Sequence, residues 1–227
     1  DGTVGRQGGT CVACGASVPL AYIRLEGRGG RLGERMMAIA AEGNRRRNYV
    51  VPTSAHVLAA DVERPADVPR GELGHYPRDI KAPTYGLTEF ADLFTNRQLL
   101  ALTTFSDLVK EVRGRVLADA LASGMPSGIE LESGGADAEA YSDAIATYLG
   151  MALSRTLNKC SSICSWDSST KVEGVRGLFA RQAIPMSWDF AEANVFGGAA
   201  GDLIEDAQWV SKAVSFAPAG RAFAEAH

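Results

Sequence analysis

Apolar residues recur at helical spacing in two long segments of the chain. Thr95 and Gln98 have the spacing of a capping box, and residues spaced alternately by three and four positions follow them: Leu102, Phe105, Val109, Val112 and Val116. A second segment repeats this spacing: Tyr141, Ile145, Tyr148, Leu149, Ala152 and Leu153. The pattern predicts helices over 95–122 and 137–158, which we expect to pair as an antiparallel hairpin and to supply most of the core.

The amino-terminal part of the chain has a different pattern. Short apolar-leaning segments at 18–26, 34–42 and 48–51 are separated by glycine-rich and arginine-rich breaks, which are typical of turns between strands. Three such strands predict a small antiparallel ribbon, which would be marginally stable without a metal or a larger neighbour. Residues 62–86 contain four of the nine prolines and little periodicity, so they predict an extended connector.

These patterns together predict an α+β fold in which a small antiparallel, ribbon-like β module is followed by a mainly helical domain with a long antiparallel helix pair. The predicted division is a zinc-ribbon-like β module over 1–61, the connector over 62–86 and the helical domain over 87–227. Weaker apolar periodicity predicts two shorter helices in that domain, over 171–182 and 201–216. The length of 227 residues allows one substantial core with a small appendage.

Composition narrows the class of protein. A hydrophobic content of 46% with 22% charged residues is typical of a folded protein rather than a disordered one. No apolar run approaches the ~20 residues that span a bilayer, so no membrane association is expected. The first residues have neither a start methionine nor the plan of a signal peptide, so we expect a segment of a longer protein. The four cysteines form two close pairs without the pattern of a secreted disulfide scaffold, which favours the cytoplasm.

Cys11 and Cys14, followed by Gly15, have the spacing of a zinc knuckle, in which two thiolates lie on a tight turn. A closed tetrahedral site needs four ligands, and the other candidates in the chain lie far away in sequence: Cys160, Cys164, His56 and His75. Two interpretations stay open, a zinc site or a degenerate ribbon that keeps its turn without metal. A redox role is less favoured, because the motif does not begin a helix that would lower a thiol pKa.

Charge is unevenly distributed. The net charge is −4, yet the first fifty residues contain eight arginines and four acidic residues. Arg45, Arg46 and Arg47 lie between two predicted strands, and three guanidinium groups at a hairpin tip would bind phosphate oxygens. The alternative interpretation is a solvated turn.

Two further segments are rich in polar or aromatic groups. Residues 158–169 contain five serines, whose hydroxyls would either cap helices or hold a phosphate. Residues 181–196 contain Trp188, Asp189 and Phe190, which place a carboxylate between two rings and would suit an adenine-like ring. In the alternative interpretation the two rings belong to a core and Asp189 caps a helix. The three histidines have no matched acid or nucleophile, which argues against a hydrolytic triad.

Four segments, taken together, resemble the large adenine-specific DNA methylases of bacteria and archaea. They are residues 5–15, 85–104, 161–166 and 181–190, which lie in the family's order across nearly the whole chain. Two positions depart from the family's pattern: Cys160 stands where a polar residue such as asparagine is expected, and Asp167 stands where histidine is expected. These departures argue against the second cysteine pair as a metal site.

The resemblance implies a parent enzyme that transfers a methyl group from S-adenosylmethionine to the N6 atom of adenine in DNA. Its cofactor loop would precede residue 1 and its Asp-Pro-Pro-Tyr loop would follow residue 227, so no catalytic residue is assigned to this chain. The chain would be an inactive internal region that helps to position DNA, with Trp188 and Asp189 bordering the cofactor pocket of the whole protein. The alternative is a structural or protein-interaction module that braces the methyltransferase core, with protein partners unknown.

Overall fold

The computed structural model describes residues 4–44, 46–169, 171–178 and 182–217. In chain order the strands and helices of these residues are β1 (Val4–Gly5), β2 (Gly8–Thr10), β3 (Ser17–Pro19), α1 (Leu20–Arg28), β4 (Ile39–Gly43), β5 (Arg46–Val50), α2 (Ser54–Ala60), α3 (Asn96–Ala122), α4 (Ala138–Leu157), β6 (Ser165–Asp167), β7 (Gly174–Arg176) and α5 (Leu203–Ser215). Three short 3₁₀ helices lie at Ala82–Tyr85, Phe90–Leu93 and Leu131–Ser133. The predicted α+β class is confirmed: small antiparallel sheets accompany a helical region.

The chain divides into two compact units, each made of two segments. Unit 1 contains residues 1–103 and 158–193, and unit 2 contains residues 104–157 and 194–227. Each unit thus combines distant parts of the sequence, and their bounds do not follow the predicted boundaries at residues 61 and 86. The three-part division stays a prediction. Among the described helices, none is both long enough and apolar enough to cross a membrane.

The described residues of unit 1 form three small antiparallel sheets. Strands β1, β2 and β3 form the first sheet, in which Gly9 lies opposite Val18. Strands β4 and β5 form a hairpin that pairs Glu42 with Arg47. Strands β6 and β7 form another hairpin, which pairs Trp166 with Val175. None of these sheets has more than three strands, so each depends on packing against neighbouring segments for its stability.

The strand predicted over 18–26 is wrong beyond Pro19, because the chain enters helix α1 at Leu20. Pro19 has no backbone N–H to continue a strand ladder, and its φ of −63° leads into the first helical turn. Ile23 and Gly27 are buried and lie four positions apart, which is the spacing of residues on one face of a helix. The strand predicted over 34–42 is reduced to β4, which starts at residue 39.

Two further elements differ from the sequence prediction. The helix predicted over 171–182 is wrong in its described residues, which form turns and strand β7. Glu173 has a φ of +38°, which a helix cannot accommodate, and the strand follows directly. Helix α2 is not predicted from the sequence, although Thr53 and His56 cap its first turn reciprocally.

Residues 62–86 contribute to the core of unit 1 instead of only connecting two modules. Leu73 and Ala82 pack with Leu93 and Ile163 in one buried cluster. Partly buried apolar residues surround it: Leu87, Phe94, Leu178 and Ile184. This cluster contains no residue of the two long helices, so the expectation that those helices supply most of the core does not hold for unit 1.

The two long helices themselves are confirmed as α3 and α4, and α5 confirms the helix predicted over 201–216. At the start of α3 the predicted capping box is present. The Thr95 N–H donates to Gln98 Oε1 at 2.9 Å, and the Gln98 N–H donates to Thr95 Oγ1 at 3.3 Å. Both bonds satisfy backbone or side-chain groups that a bare helix end would leave unpaired.

In unit 2, α4 packs on α5 around a buried carboxylate. Asp206 accepts hydrogen bonds from Arg155 Nε at 2.7 Å and from Thr156 Oγ1 at 3.0 Å. Asp202 caps α5 by accepting from the N–H groups of Ile204 and Glu205. Burial alone would raise the pKa of Asp202, but the backbone N–H donors outweigh it and hold that pKa below its usual value.

Candidate nucleic-acid interface

The β4–β5 hairpin carries the arginines that the sequence marks as phosphate ligands. Arg46 lies opposite Gly43 at the tip and is exposed, whereas Arg47 lies opposite Glu42 and is half-buried. The Arg47 Nε–H donates to the carbonyl oxygen of Glu173 at 3.4 Å. Arg45 lies outside the described residues. The structure therefore confirms the hairpin, but the predicted phosphate contact stays a prediction.

The β6–β7 hairpin lies beside the β4–β5 hairpin. The rings of Tyr49 and Trp166 meet edge to face, with centroids 6.1 Å apart and planes at 82°. The Trp166 Nε1–H also donates to the Tyr49 hydroxyl oxygen at 3.2 Å. These contacts and the Arg47 bond to Glu173 join segments that are far apart in sequence. We call the described residues of 39–50 and 165–176 the paired-hairpin surface.

Charges of both signs occur on the paired-hairpin surface. Its described cationic residues are Arg46, Arg47, Lys171 and Arg176, and its acidic residues are Glu42, Asp167 and Glu173. The backbone N–H of Ser169 is the main cause that lowers the pKa of Asp167 to about 2, and the Ser169 hydroxyl and Arg176 lower it further. Arg176 is thus paired with an ionised carboxylate, while Arg46 and Lys171 are exposed cations. The surface is only weakly cationic.

The Cys11–Cys14 turn joins β2 to β3 and has the predicted form. The Gly15 N–H donates to the Cys11 carbonyl oxygen, and the Cys11 N–H donates to the Ala16 carbonyl oxygen, both at 2.8 Å. Gly15 has a φ of +73°, a conformation that favours glycine. Backbone N–H groups of Ala13 and Cys14, with the Cys14 thiol, lower the pKa of the Cys11 thiol. The turn therefore presents two neighbouring thiols, and backbone amides stabilise the charged form of Cys11.

The other candidate zinc ligands are engaged elsewhere. Cys160 and Cys164 are buried, and burial raises the pKa of Cys160 to about 12, with Glu192 and Cys164 adding to the rise. His56 caps α2 and His75 lies 3.4 Å from the Thr84 hydroxyl. Within the described chain, no three or more His, Cys, Asp or Glu residues cluster as a metal site.

Three of the four methylase-like segments come together in unit 1. The Ser162 N–H and hydroxyl both donate to the Leu93 carbonyl oxygen, at 2.8 and 2.9 Å. The Ala191 N–H, next to the last segment, donates to the Cys164 carbonyl oxygen at 2.9 Å. The hydroxyls of Ser161 and Ser162 thus bind protein groups, which favours the structural interpretation for these two serines. The resemblance therefore covers residues that are joined in space as well as ordered in sequence.

Trp188 and Asp189 have different surroundings. Trp188 is half-buried and meets the Tyr85 ring edge to face, with centroids 5.2 Å apart and planes at 89°. The Arg24 guanidinium lies over the Tyr85 ring, 5.6 Å from the ring centroid. Asp189 is exposed. The packing of Trp188 supports the interpretation that it borders the core of unit 1, and its place beside a cofactor pocket stays a prediction.

No protein-family model, curated protein or solved structure matches this chain. The likeness to DNA methylases therefore depends on the four sequence segments alone. The paired-hairpin surface adds residues that sequence reasoning missed, above all Tyr49 and Arg176. The alternation of Arg47 and Tyr49 along β5 was a usable signal for a shared face, but the contact of Tyr49 with Trp166 spans 117 positions and has no local signal.

Proposed function

We propose that this chain is a noncatalytic internal region of a cytoplasmic, S-adenosylmethionine-dependent adenine-specific DNA methyltransferase, and that its paired-hairpin surface helps to position DNA. The observation that supports the DNA contact is that two hairpins with exposed cations and aromatic rings contact each other. Arginine and lysine side chains bind phosphate oxygens without reading sequence, and such contacts fix the register of a protein on DNA. The resemblance supplies the enzyme class.

In this proposal the methyl transfer belongs to the parent protein. The resemblance places the cofactor loop and the Asp-Pro-Pro-Tyr loop outside the chain, so S-adenosylmethionine would bind there. Trp188 and Asp189 would border that pocket in the whole protein. The exposed carboxylate of Asp189 is available to such a ligand, whereas Trp188 is partly covered by Tyr85.

Zinc remains part of the proposal at the Cys11–Cys14 turn. Cys11, whose thiolate is stabilised by backbone N–H donors, and Cys14 would form half of a tetrahedral zinc site. The described residues supply no third ligand close by, so a zinc ion would need ligands from elsewhere in the parent protein or from another molecule. The backbone hydrogen bonds of the turn also hold it without metal.

Replacing Arg45, Arg46 and Arg47 with alanine is expected to weaken binding to duplex DNA. If all three contact phosphates, the slope of log affinity against log salt falls by roughly 3, since each phosphate contact contributes about 0.9. Fluorescence anisotropy with a labelled duplex, repeated over a range of salt concentrations, measures this change.

The matched control replaces three other exposed arginines, Arg28, Arg78 and Arg115, with alanine. This variant has the same net charge, so a loss confined to the hairpin variant separates a local contact from general attraction. Equal affinity and equal salt slope in the native protein and the hairpin variant would remove the DNA-positioning role of the hairpin.

A second candidate function, a module that braces the methyltransferase core, is favoured by one exposed face of α4. Tyr141, Tyr148 and Met151 are spaced by seven and three positions, so they share one helix face, and they are 48%, 39% and 53% exposed. Apolar residues that cluster on a surface commonly mark a protein interface.

Replacing both Tyr148 and Met151 with serine tests this second function. In this chain alone we expect a change in unfolding free energy within about 0.5 kcal/mol, because both side chains are exposed. In the whole parent protein the same change lowers the melting temperature if the face is covered by the methyltransferase core. An unchanged parent melting temperature would exclude the bracing role of this face.

A further inference from the structure

We propose that Tyr49 and Trp166 form a stacking site for an unpaired nucleobase and that Arg47 holds a neighbouring phosphate. This inference rests on the proposed DNA-positioning function and names the form of nucleic acid that the paired-hairpin surface takes. The ligand is a strand with at least one base that is not stacked on its neighbours.

The two rings are fixed before any ligand arrives. Their planes stand at 82°, and the hydrogen bond from Trp166 Nε1–H to the Tyr49 hydroxyl, at 3.2 Å, holds this arrangement. An edge-to-face pair covers the face of only one ring, and Tyr49 remains 56% exposed. A base can stack on an aromatic ring whose face is exposed to solvent. Such stacking does not depend on sequence, because every base has a π face.

The Arg47 guanidinium lies where the backbone of such a strand would run. Arg47 and Tyr49 are two positions apart on β5, so their side chains leave the same face of the hairpin. The bond from Arg47 Nε–H to the Glu173 carbonyl oxygen orients the guanidinium between the two hairpins. Its Nη groups make no hydrogen bond to the described residues and can donate to a phosphate.

The charge balance favours an unpaired strand over a duplex as the ligand. Duplex binding depends mainly on the number of neutralised phosphates, and this surface combines its cations with Glu42, Asp167 and Glu173. Stacking on an aromatic ring adds affinity that does not need net charge. In an intact duplex the base faces are covered by neighbouring bases, so only an unpaired base can use the rings.

The first experiment measures the fluorescence emission of Trp166. A variant with Trp188→Phe and Trp209→Phe leaves Trp166 as the sole tryptophan, because the chain has three. It is titrated with a single-stranded oligodeoxynucleotide, with the matching duplex, and with that duplex carrying a short single-stranded gap. We expect the single strand and the gapped duplex to quench Trp166 emission and the intact duplex to leave it unchanged. Unchanged emission with saturating bound single strand would overturn the stacking site.

The second experiment compares two variants at Tyr49. Tyr49→Leu removes the ring and is expected to lower affinity for the single strand about tenfold, with duplex affinity unchanged. Tyr49→Phe keeps the ring and is expected to retain the affinity, although it loses the hydroxyl that accepts from Trp166. Thermal melting of both variants establishes that each is folded before anisotropy is measured.

The outcomes separate this inference from the proposed function. If Tyr49→Leu weakens single-strand and duplex binding equally, the stacking site is wrong while the DNA-positioning role stands. If the single strand binds with Tyr49-dependent affinity and no duplex binds, the stacking site stands and duplex positioning by this surface fails. If neither form binds, both fail.

Discussion

Replacing Gly86 with alanine is expected to lower the unfolding free energy by about 3 kcal/mol and the melting temperature by roughly 6 to 12 °C. A Cβ atom at residue 86 would lie 2.2 Å from the Gly27 carbonyl oxygen. Gly86 also has a φ of +89°, a conformation that costs an alanine about 1 to 2 kcal/mol. Because the obstructing atom belongs to the backbone of α1, no side-chain rotation relieves the contact. Thermal unfolding followed by circular dichroism measures the change.

The same close approach of two backbones can be tested from the side of α1, by a second variant at Gly27. A Cβ atom at Gly27 would lie 2.3 Å from the Tyr85 carbonyl oxygen, so α1 and the 3₁₀ helix Ala82–Tyr85 approach each other through glycines on both sides. Gly27 lies within α1, where alanine is otherwise the better helix former. A destabilised Gly27→Ala protein would therefore show that close approach outweighs helix propensity.

The matched control is Gly114→Ala in α3. No atom lies within 4 Å of a Cβ placed there, and the residue lies inside a helix, so alanine is expected to stabilise the protein by up to about 1 kcal/mol. If Gly86→Ala melts at the temperature of Gly114→Ala, the close backbone approach is not a feature of the folded protein.

The sequence predicted best the elements whose signals are local. Helices α3 and α4 follow from apolar spacing, and the Thr95–Gln98 capping box marks the start of α3 within one residue. The Cys11–Cys14 turn follows from its glycine. Each of these features depends on residues within a few positions of one another, so a single sequence carries enough information to predict it.

The features that the sequence missed depend on contacts between distant segments. Gly27 belongs to a glycine-rich run that indicates a turn, yet its role is to let α1 approach Gly86. Residues 62–86 have little periodicity because 3₁₀ turns and isolated bridges, not regular elements, bring Leu73 and Ala82 into the core. Tyr49 looks like an ordinary strand residue, and Trp166 looks like part of a serine-rich segment, until the two hairpins are placed together. Tertiary packing decides such positions, and local propensity does not record it.

The second large effect is expected at Arg97, where replacement by methionine should lower the unfolding free energy by about 2 to 3 kcal/mol. Arg97 Nε donates to Glu192 Oε2 at 2.6 Å, and its Nη2 donates to Glu192 Oε1, which makes a two-point contact with one carboxylate. Its Nη1 reaches Glu34 at 2.8 Å and the Ala60 carbonyl oxygen at 3.3 Å. Arg97 therefore joins three segments of unit 1 to the first turn of α3.

Most of that effect is assigned to Glu192 rather than to Glu34. The Arg97 and Glu192 side chains are 28% and 22% exposed, so removal of the guanidinium leaves a largely buried carboxylate without its partner. Glu34 is 46% exposed, and an ion pair that is open to solvent contributes little. Burial alone would lower the pKa of Arg97, but Glu192 and then Glu34 outweigh it and raise that pKa, so the guanidinium is charged at every accessible pH.

The assignment is tested by urea unfolding of Arg97→Met, Glu192→Gln and the double variant. We expect a coupling free energy of about 1 to 3 kcal/mol, because the two side chains interact directly and the double variant leaves no largely buried charge unpaired, Glu34 being 46% exposed. Arg115→Met is the control, since Arg115 lies in the same helix, pairs with Glu111 near solvent and should change stability by less than about 0.5 kcal/mol. Strict additivity of the two single changes would mean that Arg97 stabilises unit 1 through contacts other than the one with Glu192, whereas coupling would show that Arg97 and Glu192 stabilise it through their ion pair.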